Sequence, residues 1–212
     1  MTLSNKLTLL RLALVPVFMA ALAFPHFWSR MLALCLFVGA SLTDFYDGKL
    51  ARRTGTITRI GTFLDPLADK MLIAAALISF IELRELRVPA WCVVLIIARE
   101  FLITGLRSLA AARGMVMAAE SAGKIKTAIQ MTATITILII LIFDAAYARW
   151  PAVFLAWPLP ALRAFNVFLE KAPFVLVFLT MLITVVTGGI YIRKYRRLLS
   201  EELAMQKNPD HR

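Results

Sequence analysis

The amino-acid sequence predicts an all-α, polytopic membrane protein with six transmembrane helices. Three observations support that class. Of the 212 residues, 60% are hydrophobic, whereas soluble domains are about 45–50% apolar, and the mean hydropathy is +0.78. Six segments, roughly 7–24, 31–52, 61–82, 88–110, 124–147 and 172–193, meet or approach the ~20 apolar residues that a bilayer-spanning helix needs. The basic residues fall between these runs rather than on a polar face. The net charge of +11 therefore speaks for anionic lipid headgroups and the positive-inside rule, and against nucleic acid.

The first segment, 7–24, is short and is expected to begin as an interfacial helix. Arg11 and Pro16 interrupt it and it lacks a clear A-x-A cleavage site, so it does not read as a signal peptide. Lys6, Arg11, Lys49, Arg52, Arg53, Arg59, Arg107, Arg113, Lys124, Lys126 and the cluster from Arg193 to Arg197 share one set of segment ends. The opposite loops hold fewer cations: Arg30, Arg84, Arg87, Arg149, Arg163 and Lys171. This asymmetry places both termini in the cytoplasm. The link Ala51–Arg59 is expected to be a tight cytoplasmic turn. The long outer stretch, 145–171, carries Trp150, Pro151, Trp157, Pro158 and Pro160 and is expected to be re-entrant or surface-lying. The segment from Phe174 is the cleanest span, and Gly188 and Gly189 within it suit close helix packing. Residues 1–200 form the membrane domain; 201–212 are a polar tail, expected to be loosely ordered. Cys35 and Cys92 lie in apolar runs as small hydrophobes. There is no internal repeat and no glycine-rich phosphate loop.

The chemistry concentrates between Asp44 and Asp69, which holds four aspartates and no glutamate. Asp44 and Asp47 are three residues apart, Asp65 and Asp69 four, so each pair shares a helix face. Two antiparallel helices joined by the basic link would present the pairs to each other. Four facing carboxylates repel unless a cation sits between them. Hard divalent ions such as Mg²⁺ or Mn²⁺ suit an all-oxygen set, and zinc does not, because no His or Cys stands at ligand spacing. Gly48 and Gly61 permit close approach of a ligand or backbone, and Arg52 can direct a guanidinium at phosphate oxygens. The plainer alternative is that these aspartates cap helices or pair with Arg52, Arg53 and Lys70.

The run Asp44-x2-Asp47-Gly48-x2-Ala51-Arg52-x8-Gly61-x3-Asp65-x3-Asp69 resembles the complete signature of the CDP-alcohol phosphatidyltransferase family. Five further segments resemble the bacterial phosphatidylglycerophosphate synthases of that family: residues 5–11 (NKLTLLR), 65–70 (DPLADK), 98–100 (ARE), 105–114 (GLRSLAAARG) and 123–130 (GKIKTAIQ). The acidic MAAE before Ser121 departs from them. The resemblance implies six helices around a polar cavity open to the cytoplasm, in a bacterial inner-membrane protein that is a homodimer. It also implies transfer of a phosphatidyl group from CDP-diacylglycerol to sn-glycerol 3-phosphate, with release of CMP. By the same analogy two divalent ions are held by Asp44, Asp47, Asp65 and Asp69, with Asp69 also the general base. Gly48, Ala51, Arg52 and Gly61 would line the cytidine diphosphate site.

An anionic acceptor needs cations. Arg99 lies deep in the fourth apolar run, where an arginine is costly and faces a cavity by default. Arg107 follows eight residues later, and Lys124 and Lys126 open the fifth run. These four are expected to hold the phosphate of glycerol 3-phosphate; the plainer alternative pairs Arg99 with Glu100 or a distant Asp and makes the two lysines positive-inside anchors. Three rivals stay open: the same transfer to inositol phosphate or serine, a membrane prenyltransferase, and a cation transporter using intramembrane aspartates.

Overall fold

Each of the six apolar segments becomes a long helix. The computed structural model describes the backbone of residues 3–54, 59–112, 121–155 and 157–207, and the side chains of residues 9–43, 70–110, 125–154 and 157–195. Among the described residues the chain is helical, with no strand. Its helices are α1 (Leu3–Ala23), α2 (Phe27–Thr54), α3 (Arg59–Glu82), α4 (Ala90–Ala112), α5 (Ser121–Arg149), α6 (Pro151–Leu155) and α7 (Leu159–Lys207), with a 3₁₀ turn at Arg84–Leu86 between α3 and α4.

The long helices close into a ring. Going round, α1 packs on α2, α2 on α5, α5 on α7, α7 on α4, α4 on α3 and α3 back on α1; α3 also touches α5. Phe18 and Leu22 of α1, Phe37 of α2, Phe80 of α3, Ile96 of α4, Leu138 of α5 and Val177 of α7 are buried in one core. Ala33, Ala40, Ala75 and Ala76 are buried among them, small residues that let helices approach without a water-driven hydrophobic effect.

The outside is apolar too. Leu10, Val17, Trp28, Val94, Phe101, Val186 and Ile190 are all exposed, more apolar surface than a soluble monomer tolerates. The Ile125–Arg149 and Leu159–Tyr195 segments are long and apolar enough to cross a bilayer, and Leu9–Ala23 and Phe27–Thr43 are shorter apolar helices. Hydroxyls are satisfied within their own helices: Thr43, Thr134, Thr136 and Thr180 each donate to the carbonyl four residues back. Helices in lipid must meet their polar groups internally in this way. These features are those of a membrane protein.

Three expectations change. The stretch 145–171, expected to be re-entrant or surface-lying, takes a helical form that the sequence reading did not assign: α5 runs to Arg149, α6 follows, and α7 starts at Leu159. The prolines explain the difference. Pro151 opens α6 and Pro160 lies in the first turn of α7, where a missing N–H costs nothing. Aromatic rings then close this corner, with Phe27 against Trp150 at 5.0 Å and Phe154 against Phe165 at 5.9 Å. Second, the polar tail is not loose from 201 onward, because α7 continues to Lys207; residues 208–212 lie outside the described residues. Third, the expected turn at 51–59 is largely helix. Ala51–Thr54 complete α2 and Arg59 opens α3, and 55–58 lie outside the described residues.

Arg30, read from the sequence as a loop cation, is 2% exposed. Its guanidinium binds Glu85, the Leu141 carbonyl at 2.9 Å and Asp144 at 3.3 Å. One side chain therefore joins the first turn of α2, the 3₁₀ turn and the end of α5.

Candidate active site

The acidic signature falls on two helices, as the spacing requires. Asp44, Asp47, Gly48, Ala51 and Arg52 are on α2; Gly61, Asp65 and Asp69 are on α3. With both stretches helical, each acidic pair falls on one face of its helix. The side chains of these eight residues, and that of Lys124 on α5, lie outside the described residues. Among the described residues no group of three His, Cys, Asp or Glu forms a metal cluster.

Immediately after Asp69 the described region begins with Lys70, and here a second charged constellation appears. Lys70 of α3 and Lys126 of α5 both reach Glu100 of α4. Lys70 Nζ lies 2.5 Å from Glu100 Oε2, and Lys126 Nζ pairs with Oε1. Arg99 Nη1 approaches the same Oε1 at 3.3 Å. One carboxylate thus gathers cations from three helices. Lys126 is 4% exposed and Glu100 17%, so water screens this cluster weakly.

Lys70, Glu100 and Lys126 of this cluster line a cleft of about 60 Å³ between α3, α4 and α5, space for a few water molecules; Arg99 is not part of its lining. Thr127 and Gln130 add polar groups, and Ile73, Leu77, Ile97 and Phe101 form its apolar wall.

The four cations expected to share a pocket are divided. Arg99 and Lys126 meet at Glu100. Arg107 does not join them: it is exposed, its Nε donates to the Tyr191 hydroxyl at 3.3 Å, and its guanidinium lies 5.6 Å from that ring's centre. Arg99 also extends toward α7, donating to Thr187 Oγ1 at 3.3 Å. Gly188 makes room for it. A Cβ there would come within 2.7 Å of Arg99 Cγ and 3.1 Å of its Nε. The expected close packing at Gly188 is thus against a side chain, whereas Gly189 has open space.

Sequence reasoning named Glu100 only as a counter-charge for Arg99. It missed Glu100 as the common partner of three cations, and it missed Lys70 as one of them. A signal was available, since a lone acid within an apolar run marks a functional site by default. The partners themselves come from three separate helices and no spacing rule connects them.

A family model for CDP-alcohol phosphatidyltransferases matches residues 1–162. The chain is 44% identical over 149 residues to a CDP-diacylglycerol–glycerol-3-phosphate 3-phosphatidyltransferase of Bacillus subtilis, covering 65% of this chain and 76% of that protein. A protein of the same name from Pectobacterium atrosepticum is 41% identical over 138 residues, 62% of this chain and 74% of its own length. A probable phosphatidylglycerophosphate synthase of Mycobacterium tuberculosis is 47% identical over 134 residues, 62% of this chain and 63% of its own length. The matched region includes both acidic helices and the cleft that follows them. The chain belongs to the CDP-alcohol phosphatidyltransferase family.

Proposed function

We infer that this protein transfers the phosphatidyl group of CDP-diacylglycerol to sn-glycerol 3-phosphate, producing phosphatidylglycerophosphate and CMP. The names of its relatives support the reaction. The observation that favours this acceptor is the cationic cluster that follows the acidic helices in the chain, in which Glu100 gathers Lys70, Arg99 and Lys126. Serine brings no phosphate to meet those charges. A cation transporter would not place three cations next to its ion path.

The donor set on α2 and α3 fits a divalent metal. It offers carboxylate oxygens only, paired on two helical stretches, which suits Mg²⁺ or Mn²⁺. Asp44, Asp47, Asp65 and Asp69 would hold two such ions. Bound there, the metal neutralises the diphosphate's charge and orients it for in-line displacement.

The chain's own residues do the rest. Gly48, Ala51, Arg52 and Gly61 line the cytidine diphosphate site, with Arg52 donating to phosphate oxygens. Asp69 takes the proton from a primary hydroxyl of glycerol 3-phosphate. The hydroxyl oxygen forms its bond to the phosphatidyl phosphorus as the bond to the CMP oxygen breaks. Arg99 and Lys126 hold the acceptor's phosphate, with Lys124 and Arg107 at the cytoplasmic ends of the same helices.

All six long helices cross the bacterial inner membrane, with both termini and the polar cavity on the cytoplasmic side and anionic lipids around the basic ends. The protein is a homodimer, and residues 1–200 form its membrane domain.

The deciding experiment incubates purified protein with CDP-diacylglycerol, Mg²⁺ and glycerol 3-phosphate, inositol phosphate or serine, and measures CMP. Release that depends on glycerol 3-phosphate and stops on chelation is expected. Release with serine alone rejects the acceptor.

Two variants probe the acceptor pocket. Arg99→Gln is expected to raise the KM for glycerol 3-phosphate roughly tenfold, the scale of one charged hydrogen bond, and to leave the KM for CDP-diacylglycerol nearly unchanged. An equal rise for both substrates counts against the assignment. Gly188→Ala acts on the same side chain indirectly. The added methyl must push Arg99 off its present path, because Cγ lies near the backbone and cannot swing aside as a side-chain tip would. A rise in the same KM of about threefold to tenfold is expected, matching the cost of an off-rotamer side chain. Steady-state kinetics at saturating CDP-diacylglycerol provides the check.

A further inference from the structure

We propose that Glu100 is a positioning residue: it sets the spacing of the cations that receive the acceptor's phosphate and fixes them relative to the helix bearing Asp65 and Asp69. The proposal rests on the acceptor reading above and adds a residue which that reading does not use.

Among the described residues Glu100 is the only acid lining the cleft. Its two oxygens hold ammonium groups from different helices, Lys70 of α3 on Oε2 and Lys126 of α5 on Oε1, with the Arg99 guanidinium also on Oε1. Three cations this close repel one another in a weakly screened site, and the carboxylate between them sets the distances at which they come to rest. Lys70 directly follows Asp69 in the chain, and its bond to Glu100 ties α4 to the turn of α3 that carries Asp69. The phosphate end of the acceptor and the group that takes the hydroxyl proton are thereby held in register. With its oxygens already engaged by three donors, Glu100 is not placed to take that proton itself.

The test uses full-length protein in detergent or vesicles with CDP-diacylglycerol, glycerol 3-phosphate and Mg²⁺. Glu100→Gln keeps the shape and removes the charge. It is expected to raise the KM for glycerol 3-phosphate about tenfold, the scale of a misplacement well under 1 Å, with the KM for CDP-diacylglycerol within about twofold. Glu100→Asp keeps the charge on a shorter arm and should recover at least part of the loss; if the Gln variant does not fold, the Asp variant alone must show the selective rise. Unchanged kinetics in Glu100→Gln overturns the proposal, as does an equal rise for both substrates or a failure of Glu100→Asp to recover anything. Arg99→Gln and Lys126→Gln run alongside: if these raise the glycerol 3-phosphate KM while Glu100→Gln does not, only the positioning role fails. If neither does, the acceptor pocket itself is wrong and the proposal falls with it.

Discussion

Asp69→Asn is expected to lower the rate of CMP release by about three orders of magnitude, within the 10²–10⁴ that a general base contributes, while the helical fold and detergent-extracted yield stay as in the parent. A primary hydroxyl is a weak nucleophile until its proton has somewhere to go, and the diphosphate it attacks is already anionic. Asp69 is the last acid of the signature, on the turn of α3 that leads directly into Lys70 and the cationic cleft. Of the four aspartates it is therefore next along the helix to the site assigned to the acceptor. Asparagine keeps the shape but cannot take a proton. The measurement is single-turnover CMP release across a range of Mg²⁺ concentrations. A variant rescued by high Mg²⁺ has lost only a metal ligand. A deficit that persists at saturating metal identifies the base, and near-normal turnover in a folded variant rejects that role.

The largest stability effect is expected at the other end of α2. Arg30 lies about 21 Å along the helix from Asp44, at 1.5 Å per residue. The burden of its ion pairs is uneven, because the guanidinium is buried at 2% exposure while Glu85 and Asp144 are 42% and 50% exposed. Removing Arg30 lets both acids turn to water. Removing both acids leaves a buried guanidinium with only the Leu141 carbonyl as partner. An uncompensated buried charge costs about 3–5 kcal/mol, so Glu85→Gln with Asp144→Asn is expected to lower the melting temperature by roughly 10 °C. Arg30→Met, which takes the charge away and keeps apolar bulk, should cost distinctly less. The turnover of the surviving folded protein should match the parent in both cases. A larger loss in Arg30→Met than in the double variant would show that the contact with the Leu141 carbonyl, rather than the charge balance, holds this corner.

The helices were legible because their cause is local. A run of about twenty apolar residues must satisfy its backbone internally in lipid, and only a helix does so within one segment. That rule located all six long helices to within a few residues at most ends. It assigned no helix to 145–171 or to 201–207, where proline and sequence polarity were read as an outer stretch and a loose tail. Helix formation needs backbone hydrogen bonds rather than hydrophobicity, and proline at a first turn removes none. α7 therefore extends well past its apolar window in both directions.

The acidic signature was equally legible, since four aspartates at helical spacing with their glycines are a pattern within one short stretch. The family follows from those residues without any coordinates. The cationic cleft was not legible in the same way. Arg99, Lys126 and Lys70 each look like a membrane-edge cation, and Arg107 looks like a fourth member of the set. Which of them share a carboxylate depends on how α3, α4, α5 and α7 pack, and that is decided by side-chain volumes far apart in the chain, down to the missing methyl of Gly188 beside Arg99. The sequence by itself determined which segments are helical and which residues make up the family signature, because both are set by neighbours within a few turns. The tertiary structure alone decided that Glu100 gathers three cations, that Arg107 lies on Tyr191 and that Arg30 is a buried clamp, because a charge pairs with whatever the packing of distant helices brings within reach.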